Sequence, residues 1–303
     1  MARLRFDEFI ARPALISHLR STFGSGRVYH AYIFAGPEGT GKKTMARTCA
    51  QALFCQAGFS DRPCGKCPGC LQFQEGHPDV YTLSVPEGKT QIPVDSVREL
   101  LAALSDKAFS GGMRVVLIDQ ADRLGLPGQN ALLKTLEEPP ENTVFILCVT
   151  SVNSLLPTVI SRSQTVRFSP MDEERLAQEL IGRGANEADA QWIAQYCEGA
   201  MGRALECMRD EKLIGLSKDV RRAYEAAAAG KGVAAASACI KADKDTADEV
   251  LGCMETIART LMREGSGKGA LLLEAVIDAR RMLRSNVTWQ YALERLLMRA
   301  AGE

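Results

Sequence analysis

The sequence predicts an α/β fold: a doubly wound parallel sheet with an inserted zinc knuckle, followed by a small helical lid and an all-α C-terminal region. Three observations carry this. β-prone apolar runs alternate with helix-period segments as far as residue 170, and a glycine-rich loop joins the first run to a helix. Beyond Pro170 the strand pattern gives way to helical patterns rich in Ala, Leu and Arg. Continuously apolar strands separated by helices belong to a parallel sheet covered on both faces.

The first run, Val28 to Ala35, ends at Gly36. The helical pattern after the glycine loop places Met45, Ala46, Cys49, Ala52 and Leu53 on one face, as a period of 3.6 requires. A second run, Val80 to Val85, leads to a helix carrying Val94, Val97, Leu100, Leu101 and Leu104. The third, Val115 to Ile118, is apolar up to Asp119. A helix around Asn130–Glu138 is stopped by Pro139-Pro140, and Thr143 to Val149 is a fourth strand. The expected domains are residues 1–170, a helical lid at 171–208, and an all-α oligomerisation unit at 209–303 with Gly265 to Gly269 as an internal loop.

In 303 residues, Lys plus Arg and Asp plus Glu both number 37, so no net field draws the whole chain to DNA or an acidic membrane. Any nucleic-acid contact must be local or shared with partners. No apolar run approaches the roughly 18 residues of a spanning helix, and the N-terminus lacks the apolar middle of a signal peptide. A cytoplasmic protein is expected, in which ten cysteines read as thiols and metal ligands rather than disulfides.

Gly36-Pro37-Glu38-Gly39-Thr40-Gly41-Lys42-Lys43-Thr44 nearly fits the phosphate-loop pattern G-x-x-x-x-G-K-[ST]. Gly36, Gly39, Thr40 and Gly41 would wrap backbone N–H groups around phosphate oxygens, and Lys42 would reach the terminal phosphates. The hydroxyl that normally ligates magnesium is replaced by Lys43, whose ammonium group repels a cation. Thr44 lies one residue later, turned by roughly 100° around the helix. Asp119 ends the third strand, where an acidic group holds magnesium through water. Gln120 follows it, and an amide orients water but takes no proton. ATP with magnesium is therefore a doubtful ligand, and little hydrolysis is expected.

Cys55, Cys64, Cys67 and Cys70 have the spacing C-x8-C-x2-C-x2-C. Two overlapping Cys-x2-Cys turns and a fourth thiol close a tetrahedral shell, which points to structural rather than catalytic zinc. A thiol redox role is the alternative for such pairs. His77 is a candidate fifth ligand or, more simply, a turn residue. Cys49, Cys148, Cys197, Cys207, Cys239 and Cys253 read as core thiols.

Together these stretches resemble the AAA+ subunits of the bacterial replicative clamp loader. The matching segments are His30 to Lys42, the four-cysteine knuckle, Asn130 to Pro140, and Ser161-Arg162-Ser163, which is similar to the family's Ser-Arg-Cys signature. The resemblance covers residues 5–208 well, and Asn286 to Leu297 resembles the collar region more faintly. It implies a heteropentamer that places the sliding clamp on primer-template DNA within the DNA polymerase III holoenzyme, with motor subunits and a delta subunit as partners.

Within the family the departures favour the delta-prime, or stator, kind of subunit. Lys43 and Gln120 are two of them. The third is Gly202, with Arg203 one step on, where motor subunits carry the arginine of a Gly-Ser-x-Arg pattern. The resemblance implies that Arg162 acts in trans on a neighbour's γ-phosphate and that Thr150 occupies a sensor position. The Asn130–Glu138 helix reads as a family signature with a packing role. The rival readings are an ATP-hydrolysing motor subunit of the same assembly and, from another class, a P-loop phosphotransferase acting on a small molecule.

Overall fold

The computed structural model describes residues 5–9, 13–104, 112–240 and 245–301. The elements in chain order are α1 (Pro13–Ser25), β1 (Ala31–Ala35), α2 (Lys42–Phe54), α3 (Pro68–Glu75), β2 (Val80–Leu83), α4 (Val94–Ala103), β3 (Arg114–Ile118), α5 (Leu126–Glu137), β4 (Thr143–Val149), α6 (Pro157–Ile160) and β5 (Gln164–Arg167). Helices α7 (Glu173–Gly182), α8 (Glu187–Tyr196), α9 (Met201–Cys207), α10 (Glu211–Ala228), α11 (Val233–Ser237), α12 (Ala247–Arg263), α13 (Gly267–Arg284) and α14 (Trp289–Ala301) follow.

Strands β1 to β5 form one all-parallel sheet in the order β2-β3-β4-β1-β5. Every residue of β1, β3 and β4 is buried, which is why these three read as unbroken apolar runs. Successive side chains point to opposite faces. Tyr32, Phe34, Val115, Leu117, Val144 and Ile146 pack on one side with Leu19 and Phe23 of α1 and Met45 and Cys49 of α2. Ile33, Val116, Ile118, Phe145 and Leu147 pack on the other with Val97 and Leu100 of α4, Leu132 and Leu136 of α5, and Val159 of α6. The α/β, doubly wound parallel fold expected from the sequence is the fold observed.

Several elements differ in extent from the sequence reading. β1 begins at Ala31 rather than Val28, and β2 ends at Leu83 rather than Val85. α5 starts four residues before Asn130, at Leu126, with Pro127 in its first turn, where a missing N–H costs nothing. β5 was not anticipated: as an edge strand it has one buried residue, Val166, among polar neighbours. Gly267, Lys268 and Gly269 belong to α13 rather than to a loop. A Cβ on Gly269 would lie 2.6 Å from the Ala258 carbonyl oxygen, so glycine there permits the close approach of α12 and α13.

Contacts group the chain into two units, one running to Met171 and including Ala200–Gly202, the other holding Asp172–Gly199 and the residues from Arg203 onward. In the second unit α7 packs on α8, and α12 packs on α10 and α13. The guanidinium of Arg263 is held by both carboxylate oxygens of Glu173. No helix among the described residues is long and apolar enough to cross a membrane.

Candidate functional site

The phosphate loop leaves β1, which lies between β4 and the edge strand β5, and the Gly36 amide donates to the Val149 carbonyl at 3.1 Å. Gly39 and Gly41 take positive φ. Gly41 is the N-cap of α2 and supplies no side-chain cap, so the first amides of that helix remain available to an anion. The loop is nevertheless internally bonded. Lys42 Nζ donates to the carbonyl oxygens of Gly36 at 2.6 Å and Pro37 at 2.7 Å, and Thr40 Oγ1 donates to Pro37 O at 2.8 Å. Burial pushes the Lys42 ammonium below its usual range, against the attraction of Glu38, Asp122 and Asp119. The Gly202 amide donates to the Gly39 carbonyl at 2.7 Å.

Lys43 Nζ pairs with Asp119 Oδ2 at 2.8 Å. The other oxygen, Asp119 Oδ1, accepts the Gln120 amide N–H at 3.1 Å. Gln120 itself sits in the left-handed region, at φ 52° and ψ 47°. Thr44 is half-buried in the first turn of α2, and its carbonyl accepts the Thr48 hydroxyl. Thr150 Oγ1 donates to Asp122 Oδ2 at 3.1 Å, and Asp122 Oδ1 is buried without a hydrogen-bond partner among the described residues. Asp122 was missed in the sequence. A single turn of 3-10 helix, Ala121–Arg123, brings it back toward Lys42 and Thr150.

Arg162 lies elsewhere on the same unit, just after α6. Its Nη2 pairs with Glu137 Oε1 at 2.7 Å, and its Nη1 donates to Thr158 O at 2.9 Å and Ser161 Oγ at 3.2 Å. The turns around α5 and α6 are tied by buried Gln129. Gln129 Nε2 donates to the carbonyls of Leu124 and Ser154, and its Oε1 accepts the Leu156 amide N–H at 2.8 Å. A separate cleft is lined by residues 88–94 and by Gly125, Pro127 and Gly128. The N-termini of α4 and α5 open onto it, and neither has a side-chain cap.

The four cysteines come together between α2 and β2. Cys55 caps the end of α2, Cys67 precedes α3 and Cys70 lies within it. All four sulfur atoms lie within 4.8 Å of one another, and Cys55 and Cys67 are 3.8 Å apart. Tetrahedral zinc with bonds of about 2.3 Å requires sulfurs about 3.8 Å apart, so the donor set fits that ion. The amides of Gln56, Ala57 and Cys64 point at the Cys67 and Cys55 sulfurs at 3.3–3.5 Å, which favours thiolate. At Cys67 burial is outweighed by amide donors, and its thiol falls to about 6. Burial raises Cys55 and Cys70 instead.

His77 is not a member of this cluster. It is buried, its Nδ1 accepts the Asp79 amide N–H, and its ring lies against Phe54. Five of the remaining thiols are buried as expected, but Cys239, which follows the end of α11, is only half-buried.

A sequence-family profile described as "DNA polymerase III, delta subunit" matches residues 11–172, more than half of the chain. The chain belongs to this family. The family read from the motifs and the family found agree. Among individual relatives, the delta' subunit of DNA polymerase III from Escherichia coli K12 is 38% identical over 189 residues, covering 62% of this chain and 57% of that protein. The tau subunit from the same organism is 33% identical over 206 residues, covering 66% of this chain and 32% of that protein. The gamma subunit from Buchnera aphidicola of Schizaphis graminum is 30% identical over 220 residues, covering 71% and 60%. The chain thus spans from about a third to three fifths of the length of these relatives. A solved structure of a DNA polymerase III gamma subunit-related protein from Thermotoga maritima superposes with a TM-score of 0.54 at 17% identity, over 94% of this chain and 98% of that one. At that identity the likeness concerns the fold.

Proposed function

We propose that this chain is the stator, delta-prime type of clamp-loader subunit, which joins motor subunits and a delta subunit in a heteropentamer that places the sliding clamp on primer-template DNA. The observation that carries this choice over a motor subunit is the Lys43–Asp119 ion pair. In a motor subunit a hydroxyl and an aspartate share a magnesium ion; here an ammonium group stands against the aspartate. Gln120 compounds the loss, since it can orient water without accepting its proton. Lys42 and Gly39, already engaged within the chain, would have to exchange partners to receive a triphosphate. Weak nucleotide binding without turnover follows. A phosphotransferase reading gains nothing, because the group that would hold its metal is the same Asp119.

Arg162 supplies the positive role. Placed against the ATP of an adjacent motor subunit, its guanidinium stabilises the charge that develops on the γ-phosphate. The four-cysteine cluster holds structural zinc, which fixes the chain between α2 and β2.

The test is ATP turnover with magnesium, by the purified chain alone and by the reconstituted loader. The chain alone should show none above a Lys42→Ala background. Arg162→Ala should lower the turnover of the whole assembly by at least about 100-fold at the adjoining site. Robust turnover by the chain alone would reassign it as a motor subunit. Full assembly turnover with Arg162→Ala would remove the trans role.

A further inference from the structure

We propose that Glu137 is a positioning residue for Arg162, holding the guanidinium in the orientation it presents to a neighbouring nucleotide. The inference rests on the trans reading of Arg162 above. An arginine side chain has four flexible torsions, and a finger acts only when its planar fork meets the phosphate at a defined angle. Arg162 follows a helix of only four residues, α6, which does little to fix a side chain beyond its end. Its anchors come from two elements: Thr158 and Ser161 hold Nη1 from the α6 side, and Glu137, the last residue of α5, holds Nη2 at 2.7 Å.

The donor count leaves room for a ligand. A guanidinium has five N–H donors, and three are taken by these acceptors, so among the described residues two remain for phosphate oxygens. The Arg162 side chain keeps 34% of its surface exposed. Gln129, by bonding to Leu124, Ser154 and Leu156, joins the start of α5 to the turn before α6, so the two helices that carry the anchors of Arg162 are linked. The ion pair is also exposed enough, with Glu137 at 49%, to be weak. It orients the guanidinium without outcompeting a triphosphate.

The experiment uses the reconstituted loader with clamp and primed DNA, reading kcat and KM for ATP separately, with Glu137→Ala, Glu137→Gln, Arg162→Ala and the double variant Glu137→Ala/Arg162→Ala. Glu137→Ala should lower kcat about threefold to fivefold, the worth of an exposed ion pair, with KM unchanged. Glu137→Gln keeps an acceptor oxygen and should restore at least half of that loss. The double variant should be no slower than Arg162→Ala alone, because a positioning residue has nothing left to position. If Arg162→Ala slows turnover while Glu137→Ala does not, or if Glu137→Ala speeds it, the positioning role is wrong and the trans reading survives. If Arg162→Ala itself has no effect, the trans reading fails and takes this inference with it. Equal melting temperatures for the variants separate these outcomes from misfolding; should Glu137→Ala not fold, Glu137→Gln against wild type decides the matter.

Discussion

Lys43 Nζ stands 2.8 Å from Asp119 Oδ2, while the Gln120 amide occupies Asp119 Oδ1. Both oxygens of the carboxylate that would hold magnesium through water are thus engaged, one of them by a positive charge. A divalent cation entering here meets repulsion from Lys43 and has no hydroxyl ligand on α2 at that position. Magnesium should therefore leave the nucleotide affinity of the wild-type chain unchanged. Lys43→Thr frees Asp119 and supplies the hydroxyl, and it should tighten ATP binding in magnesium by roughly tenfold, about 1.4 kcal/mol. Titration of a fluorescent ATP analogue with and without magnesium checks this. Turnover should stay absent in Lys43→Thr, because Gln120 remains; an equal magnesium response in wild type and variant would show that the ion pair does not control the site.

The knuckle makes a compositional prediction. Four sulfurs converging within 4.8 Å should retain one zinc per chain through purification, measured by elemental analysis. Cys64→Ser should lose it. A chelator should lower the melting temperature of the wild type by more than about 4 °C, since binding energy at a structural site is folding energy. A chain that carries no metal and melts identically with and without chelator would return these thiols to the redox reading.

Gln129 is buried, with 3% of its surface exposed, and satisfies three backbone groups of the turns around α5 and α6. Truncation removes their partners and leaves a void. Gln129→Ala should cost about 2–4 kcal/mol in urea unfolding. A cost within a few tenths would mean that solvent replaces the amide and that the turns around α5 and α6 are not held by it.

Much of this architecture was legible because the physics was local. β1, β3 and β4 are buried on both faces, so their sequences had to be apolar throughout, and the phosphate loop needs glycines in a fixed order between strand and helix. The four-cysteine cluster followed from thiol spacing alone. The rest depended on tertiary context. β5 is an edge strand whose single buried residue, Val166, leaves no alternation to detect. Asp122 gains its meaning only because a 3-10 turn after Asp119 points it at Thr150. The departure of Lys43 from the phosphate-loop pattern was evident in the sequence, but its salt bridge to Asp119 required the β3–α2 geometry. The same holds for Glu137, a residue of a packing helix in the sequence and a partner of Arg162 in space.

Gly202 offers the last prediction. Its amide donates to Gly39 O at 2.7 Å, and a Cβ built at Gly202 would lie 2.8 Å from that oxygen and 3.3 Å from Gly39 Cα. The obstructing atoms are backbone, so no side chain can turn aside to make room. Any other residue at 202, arginine included, must push the Ala200–Gly202 segment off the phosphate loop or distort the loop itself. Gly202→Ala should therefore lose this hydrogen bond and cost about 1–3 kcal/mol. The same change frees the Gly39 carbonyl and loosens the loop, so binding of an ATP analogue should rise as stability falls. Paired measurement of urea unfolding and nucleotide affinity tests both halves. A variant that is destabilised without any gain in affinity would show that the Gly202 contact supports the fold but does not hold the loop closed, and the inward-turned Lys42 would then be the group that keeps nucleotide out.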